Sequence, residues 1–169
     1  MKIWSNLLWV AVPTLVAACA GPRSLAELEH QRVRESQELR DYAKVYPLQT
    51  ARVMGRIQST AYASDLVSLL AYSDSRDEAI FAIGQLGLSD EWHPDLQPSL
   101  ATSVLQQERA SPALVAEALG KLGVTPMVSL VEHSDHQVRR KAAVAIWRAR
   151  GAGYTADAIS HLRKLATDS

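Results

Sequence analysis

Three stretches of this chain share one pattern: ARVMGRI at 51–57, AIFAIGQLG at 79–87 and ALVAEALGKLG at 113–123. A fourth, AAVAIWRARG at 142–151, aligns with them when Trp147 stands where the others have Gly55, Gly84 and Gly120. The aligned positions lie 29, 36 and 27 residues apart. An irregular repeat of about 30 residues with helical patterning predicts stacked helical hairpins, because one hairpin can bury its apolar stripe only against the next. Composition agrees. Hydrophobic residues make up 47% of the chain but only one is Phe, and Ala and Leu dominate, which favours helices over strands.

Other columns keep the same register. Eight residues before the glycine column stand Pro47, Arg76, Pro112 and Arg139, so the four helices are expected to begin there. Proline suits the first helical position, where its missing N–H is not needed. Ser111 and Ser75 precede two of these starts and are expected to cap them. Three residues after the glycine column stand Gln58, Gly87, Gly123 and Arg150, the last followed by Gly151. Gly87 and Gly123 are expected as left-handed C-caps. A glycine inside a helix costs about 1 kcal/mol relative to alanine. Gly55, Gly84 and Gly120 are therefore expected where a neighbouring helix comes very close, and Trp147 is expected to fill the matching space as core. Partner helices are expected over 64–73, 94–108, 125–134 and 155–166. Leu66, Leu69 and Leu70 share a face, as do Met127, Leu130 and Val131, and Ile159, Leu162 and Leu165. The charged, glycine-free stretch 23–45 reads as a helical spacer whose C-terminal end pairs with the first repeat.

The pattern D-x-x-V-R-x-x-A-A-x-A-L-G-x-L-G resembles that of short HEAT-like repeats of the phycobilisome-lyase type. Asp135, Val138, Arg139, Ala142, Ala143, Ala145 and Ile146 match it in the last repeat. Arg76, Ala79, Ala82, Ile83, Gly84, Leu86 and Gly87 match in the second, where Ser75 replaces the Val, and the first and third repeats lack the Arg. The resemblance covers residues 46–169 and implies an all-α, right-handed α-solenoid of about four helical hairpins. Such repeats serve lyase chaperones, scaffolds and regulators alike, so the resemblance carries fold far more than function.

The N-terminus has its own logic. Lys2 is followed by an apolar stretch from Ile3 to Val16, too short to span a bilayer as a helix, which needs about 20 apolar residues. A positive start, an apolar middle and small residues at the end form a secretory signal. The only cysteine, Cys19, follows Val16-Ala17-Ala18. This resembles the lipobox of bacterial lipoproteins, in which a peptidase cuts before a cysteine whose thiol carries diacylglycerol, the new N-terminus often being acylated as well. Two or more chains anchor stably where one binds only marginally. The resemblance implies a signal peptide over 1–18, a lipid anchor at Cys19 with its spacer to residue 45, and a repeat domain over 46–169. Ala20 stands where an Asp tends to hold Gram-negative lipoproteins in the inner membrane, which implies, for a Gram-negative cell, the outer membrane, facing the periplasm. An ordinary cleaved signal or an uncleaved anchor would leave Cys19 incidental.

Motifs for chemistry are scarce. His133 and His136 flank Asp135, but this stretch is the expected turn between two helices, and the turn Asp belongs to the repeat pattern. His30, His93 and His161 stand alone on polar faces. No G-x-S-x-G elbow or phosphate loop is present, GQLG and GKLG are cap sequences, and the acidic pairs Asp77-Glu78 and Asp90-Glu91 fall at a helix start and in a loop. A single cysteine makes neither an internal disulfide nor a cysteine-based zinc site. With 18 Lys+Arg against 18 Asp+Glu, the chain lacks the net charge of a nucleic-acid binder. The sequence therefore carries no expectation of catalysis, cofactor or metal.

One column invites binding. Arg56, Gln85, Lys121 and Arg148 follow the glycine column directly, and in a stacked array they would line one edge as a basic ladder for an acidic partner. Cations in the last turn of a helix also complement its dipole, the blander use of the same residues. Phe81 and Val144, three residues before the glycine column, would add apolar contact there if exposed, and Trp92, in the insertion SDEWHPD, is either a further candidate contact residue or packs back on the array. The resulting expectation is a lipid-anchored, non-catalytic scaffold that binds another envelope protein through Arg56, Phe81, Lys121 and Arg148. The alternative is the repeat portion of a truncated larger enzyme, such as a lipoprotein that continues into a cyclophilin-type prolyl isomerase domain. Replacing Cys19 by Ala should leave an unprocessed precursor in a bacterial host. A cleaved, soluble periplasmic product of wild-type size would contradict the lipobox reading.

Overall fold

A computed structural model describes residues 22–126, 128–149 and 156–167. Cys19, the signal segment, Met127, Arg150 and Gly151 lie outside the described residues. The described chain is all-helical: α1 (Leu25–His30), α2 (Gln37–Val45), α3 (Pro47–Ile57), α4 (Ala63–Leu69), α5 (Arg76–Leu86), α6 (Gln97–Leu105), α7 (Pro112–Lys121), α8 (Val128–Val131), α9 (His136–Arg148) and α10 (Ala156–Ala166). Short 3-10 turns at Thr60–Tyr62 and Pro94–Leu96 lead into α4 and α6. No helix among the described residues is long and apolar enough to cross a membrane.

The repeated segments become a row of neighbours, α3 on α5, α5 on α7 and α7 on α9. Their shared register shows that all four run the same way. Gly55 and Gln58 of α3 and its C-cap meet Ala82 and Gln85 of α5, and Glu117 and Gly120 of α7 meet Lys141 and Ala145 of α9. The glycines make this spacing possible. A Cβ added at Gly55 would lie 2.8 Å from the Ala82 Cβ, one at Gly84 2.9 Å from the Ala118 Cα, and one at Gly120 2.4 Å from the Ala145 Cα. Each glycine thus receives an alanine that sits two residues before the next glycine-column position. α2, α4, α6 and α8 pack on α3, α5, α7 and α9, while α1 lies against α3 and α10 against α9. The core between the layers holds Leu39, Met54, Leu66, Ile80, Ile83, Leu86, Leu119, Leu122 and Ile146, all fully or almost fully buried. Each such side chain contributes roughly 1.5–3 kcal/mol by leaving water.

Helix starts are set partly as the sequence suggests. Pro47, Arg76 and Pro112 are first residues, but α9 begins at His136, three residues before Arg139, because the Asp135 carboxylate accepts the Gln137 N–H at 2.8 Å and caps the helix there. Ser111 and Ser75 occupy cap positions without capping through their side chains; the buried Ser75 hydroxyl instead donates to the Leu69 carbonyl at 2.9 Å. The Arg column has a distinct job. Arg76 donates to the Leu70 carbonyl at 3.2 Å and Arg139 to the His133 and Ser134 carbonyls at 2.7 Å. Each arginine serves the carbonyl six residues before it, at the end of the preceding partner helix, where carbonyls lack intrahelical donors.

Other expectations change. Gly87 has φ −65°, ordinary helical geometry, so it is no left-handed cap. What it supplies is room, since a Cβ there would lie 2.3 Å from the Lys121 carbonyl oxygen. The left-handed conformation falls to Gly123 (φ +78°), as expected, and to Gln58 (φ 60°) at the matching position. Trp147 is not core but 52% exposed. Among the described residues no further row helix stacks on α9, so nothing there demands the small residue that the other repeats need. Ile159 is 40% exposed, leaving Leu162 and Leu165 as the residues of α10 that pack on the core.

The stretch 23–45 is not one spacer helix. It turns at Arg32 (φ 46°) and makes α1 and α2, whose Leu28 and Leu39 are fully buried in the common core. A capping box starts α1, with the Glu27 N–H donating to the Ser24 hydroxyl at 3.2 Å and the Ser24 N–H to the Glu27 carboxylate at 2.6 Å. The fully buried Tyr62 donates its hydroxyl hydrogen to the Val33 carbonyl at 2.6 Å and ties the α1–α2 turn to the start of α4. Burial pushes its phenol up to about 12.

Replacing Gly120 by Ala should lower stability by roughly 1–3 kcal/mol through overpacking against α9. Urea unfolding reads this, and the sign is decisive, because the same change in an uncrowded helix would add about 1 kcal/mol.

Candidate functional site

The row of parallel helices presents one face on which the residues near the glycine column recur. Between α1, α3 and α5 this face opens into a groove of about 890 Å³. Helical spacing brings Arg52 and Arg56, one turn apart, to its floor from α3, Glu78, Phe81 and Gln85 from α5, and Glu29 from α1. Arg52 pairs with Glu78 at 3.1 Å and Arg56 with Glu29 at 2.9 Å. Glu78 in turn raises the already high affinity of Arg52 for its proton. Both guanidiniums remain about half exposed. Each has five N–H donors, so donors remain beyond these pairs for a ligand in the groove. The Phe81 ring, 37% exposed, forms the apolar part of the surface.

Lys121 behaves differently from the ladder it was expected to join. It is only 8% exposed. Its ammonium lies 4.1 Å from the centroid of the Phe81 ring and 2.8 Å from the Glu117 carboxylate. Both contacts favour the charge that burial would otherwise penalise. Lys141 reaches the other Glu117 oxygen at 2.5 Å. Glu117 therefore sits between two cations and two helices. Burial alone would raise its carboxyl, but the hydrogen bonds and charges of Lys121 and Lys141 outweigh that and lower it to about 2. Lys121 thus packs against the Phe81 ring and Glu117 instead of standing out on the edge of the row.

Arg148 is exposed but belongs to another place. It lines a smaller cleft of about 420 Å³ at the C-terminal ends of α7 and α9, with Trp92, Trp147, Leu88 and Lys121. Arg56 and Arg148 stand three helix spacings apart along the row, roughly 24–30 Å at 8–10 Å per spacing. The structure therefore brings Arg56 and Phe81 together in one groove, sets Lys121 against the Phe81 ring, and leaves Arg148 apart from that groove, in the cleft that Lys121 also lines. Val144 is exposed, as its column requires, while Trp92 packs partly back on the core. Sequence reasoning set Arg52 in the Phe81 column and Glu78 in an acidic pair at a helix start without giving either a role in binding, and it missed Glu29. The signal for Arg52 and Glu78 was a basic and an acidic residue 26 positions apart, close to the spacing of the glycine columns.

The remaining polar residues have local roles. His133 accepts the Asp135 N–H at 3.0 Å within the turn before α9, and His136 meets the Gln137 amide at 2.8 Å. His30 lies at the groove's edge, His93 precedes a 3-10 turn, and the His161 side chain lies outside the described residues. Glu91 pairs with Arg34 and accepts the Ser59 hydroxyl at 3.3 Å, clamping the long insertion onto the α1–α2 turn. Among the described residues no group of three or more His, Cys, Asp or Glu is placed to hold a metal ion.

The Glu117 cluster makes stability depend on pH. Its folded carboxyl titrates near 2, below the reference of 4.5, so the stabilisation is complete above pH 4.5 and is lost as pH falls toward 2. The effect amounts to at most about 3 kcal/mol. Replacing Glu117 by Gln should flatten the stability profile across that window, as measured by urea unfolding at successive pH values. An unchanged profile would mean that the cluster does not hold together in solution.

Compared with family models, curated proteins and solved structures, the chain matches none of them.

Proposed function

We propose that this protein is a membrane-anchored envelope lipoprotein whose repeat domain, a right-handed α-solenoid of HEAT-like hairpins, acts as a non-catalytic protein-binding scaffold. The observation that carries the binding part is the groove between α1, α3 and α5, where an exposed aromatic ring stands beside two arginines with donors to spare. That combination suits an extended protein segment with an apolar anchor on Phe81 and a carboxylate shared by Arg52 and Arg56. Aromatic and arginine residues dominate the energetic centres of protein interfaces. Charge around the groove is mixed, with Glu29 and Glu78 opposite the arginines, so the carboxylate would govern orientation and association rate while Phe81 supplies affinity.

The parallel row supports the solenoid reading, since a repeated glycine–alanine contact gives each hairpin the same relation to the next. The lipobox-like end at Cys19 supports the anchoring. Anchored, the scaffold would hold its partner at the membrane, an effect of local concentration rather than of chemistry.

The experiment is a crosslinked pull-down with the lipidated protein, comparing wild type with Phe81→Ala/Arg56→Glu. The double variant should keep its helicity by circular dichroism and lose the partners that wild type recovers. Equal recovery by both would move the binding surface away from this groove.

A further inference from the structure

Three residues, and so four Cα–Cα steps, separate Cys19 from Arg23. Even fully extended, they span only about 13–14 Å. Arg23 is fixed to α2 at three points. Its N–H donates to the Glu38 carboxylate at 3.3 Å, its Nε donates to the same carboxylate at 2.8 Å, and its carbonyl accepts the Tyr42 hydroxyl at 2.8 Å. If Cys19 carries lipid, the reading on which this inference rests, the end of α2 cannot move far from the bilayer.

That end carries exposed apolar side chains. Val45 is 66% exposed and Tyr46 50%, and the Tyr46 ring lies 6.3 Å from the Tyr42 ring. Tyr72, also exposed, lies in the turn that leads into α5, at the end of the row where α3 also begins. The charges of α2 beside Val45 and Tyr46 pair off, Glu38 with Arg23 at 2.7 Å and Lys44 with Asp41 at 2.8 Å.

We propose that Val45 and Tyr46 form a membrane-seating surface that rests in the headgroup region of the bilayer. Tyrosine suits that depth, with an apolar ring below and a hydroxyl toward water. The patch is too small to bind a membrane unaided. The tether makes the contact intramolecular, so a weak surface suffices. Because the neighbouring charges are paired, the seating depends on apolar contact and not on anionic lipid. The α3–α5 row then points away from the bilayer from its seated N-terminal end, and the groove opens sideways to the membrane, within reach of other anchored proteins.

The test uses the full-length lipidated protein in phosphatidylcholine vesicles. With Cys19 acylated, Val45→Cys offers the only free thiol, and Asp90→Cys, beyond the C-terminal end of α5, serves as the opposite-end control. Each is spin-labelled, and collisions with lipid-soluble oxygen are compared with collisions with a water-soluble nickel chelate. The label at 45 should favour oxygen several-fold over the label at 90, at low and high salt alike, and Tyr46→Ser should reduce that preference. Equal, water-like values at 45 and 90 in vesicle-bound protein would overturn the seating while leaving the anchor intact. Mass spectrometry showing Cys19 without diacylglycerol would overturn the anchor and the seating with it.

Discussion

The close approach of a glycine on one helix to an alanine on the next sets the geometry of this molecule. At Gly55, Gly84 and Gly120 a single added carbon would lie 2.4–2.9 Å from the facing alanine. Helices that approach so closely need a small residue opposite each glycine, and Ala82, Ala118 and Ala145 supply it. The cost of three helical glycines is about 1 kcal/mol each. It is offset by the burial of the apolar stripes on both sides, which this spacing permits. The parallel row, the recurrence of columns on one face and the groove between α1, α3 and α5 all follow from that spacing.

The functional face is a consequence of the same repetition, with two different uses of charge. Where the face is open, at Arg52 and Arg56, the ion pairs are half exposed and worth little to stability, so their donors are free to serve recognition. Where it is closed, at Glu117, two lysines neutralise one carboxylate, and the buried ammonium of Lys121 rests on Phe81. Removing one member of such a cluster leaves a desolvated charge behind, which makes it a structural element rather than a contact surface. Phe81 joins the two regions. One side of its ring meets Lys121 and the rest lies open to the groove.

The glycine columns were legible in the sequence because helix propensity disfavours them, so only a packing need explains their recurrence. The fates of Lys121, Trp147 and Gly87 were not legible. Column position says which edge of a helix a side chain leaves from, but a long lysine stem can fold back under a neighbouring ring, and that ring came from another repeat. Trp147 occupies a glycine column, yet whether such a position is filled depends on a following helix, which a column alone does not reveal. Gly87 has the look of a cap, but its cause is the Lys121 carbonyl of the next repeat. The stretch 23–45 looked like a spacer because its charges mask two single leucines, Leu28 and Leu39, that the fold buries completely. The pairing of Arg52 with Glu78 and of Arg56 with Glu29 escaped notice because it exists only once the row has formed.

The most direct test of this account is a double-mutant cycle at Gly55 and Ala82, measured by equilibrium unfolding. Gly55→Ala should destabilise by crowding, and Ala82→Gly by lost helix propensity and packing. If the two positions truly share one contact, the second change removes the Cβ part of the clash, the Ala82 Cα staying 2.9 Å away, and the double variant should be more stable than the sum of the single effects by on the order of 1 kcal/mol. Additivity within about 0.5 kcal/mol would contradict it, since independent sites behave that way, and the register built on these contacts would have to be abandoned.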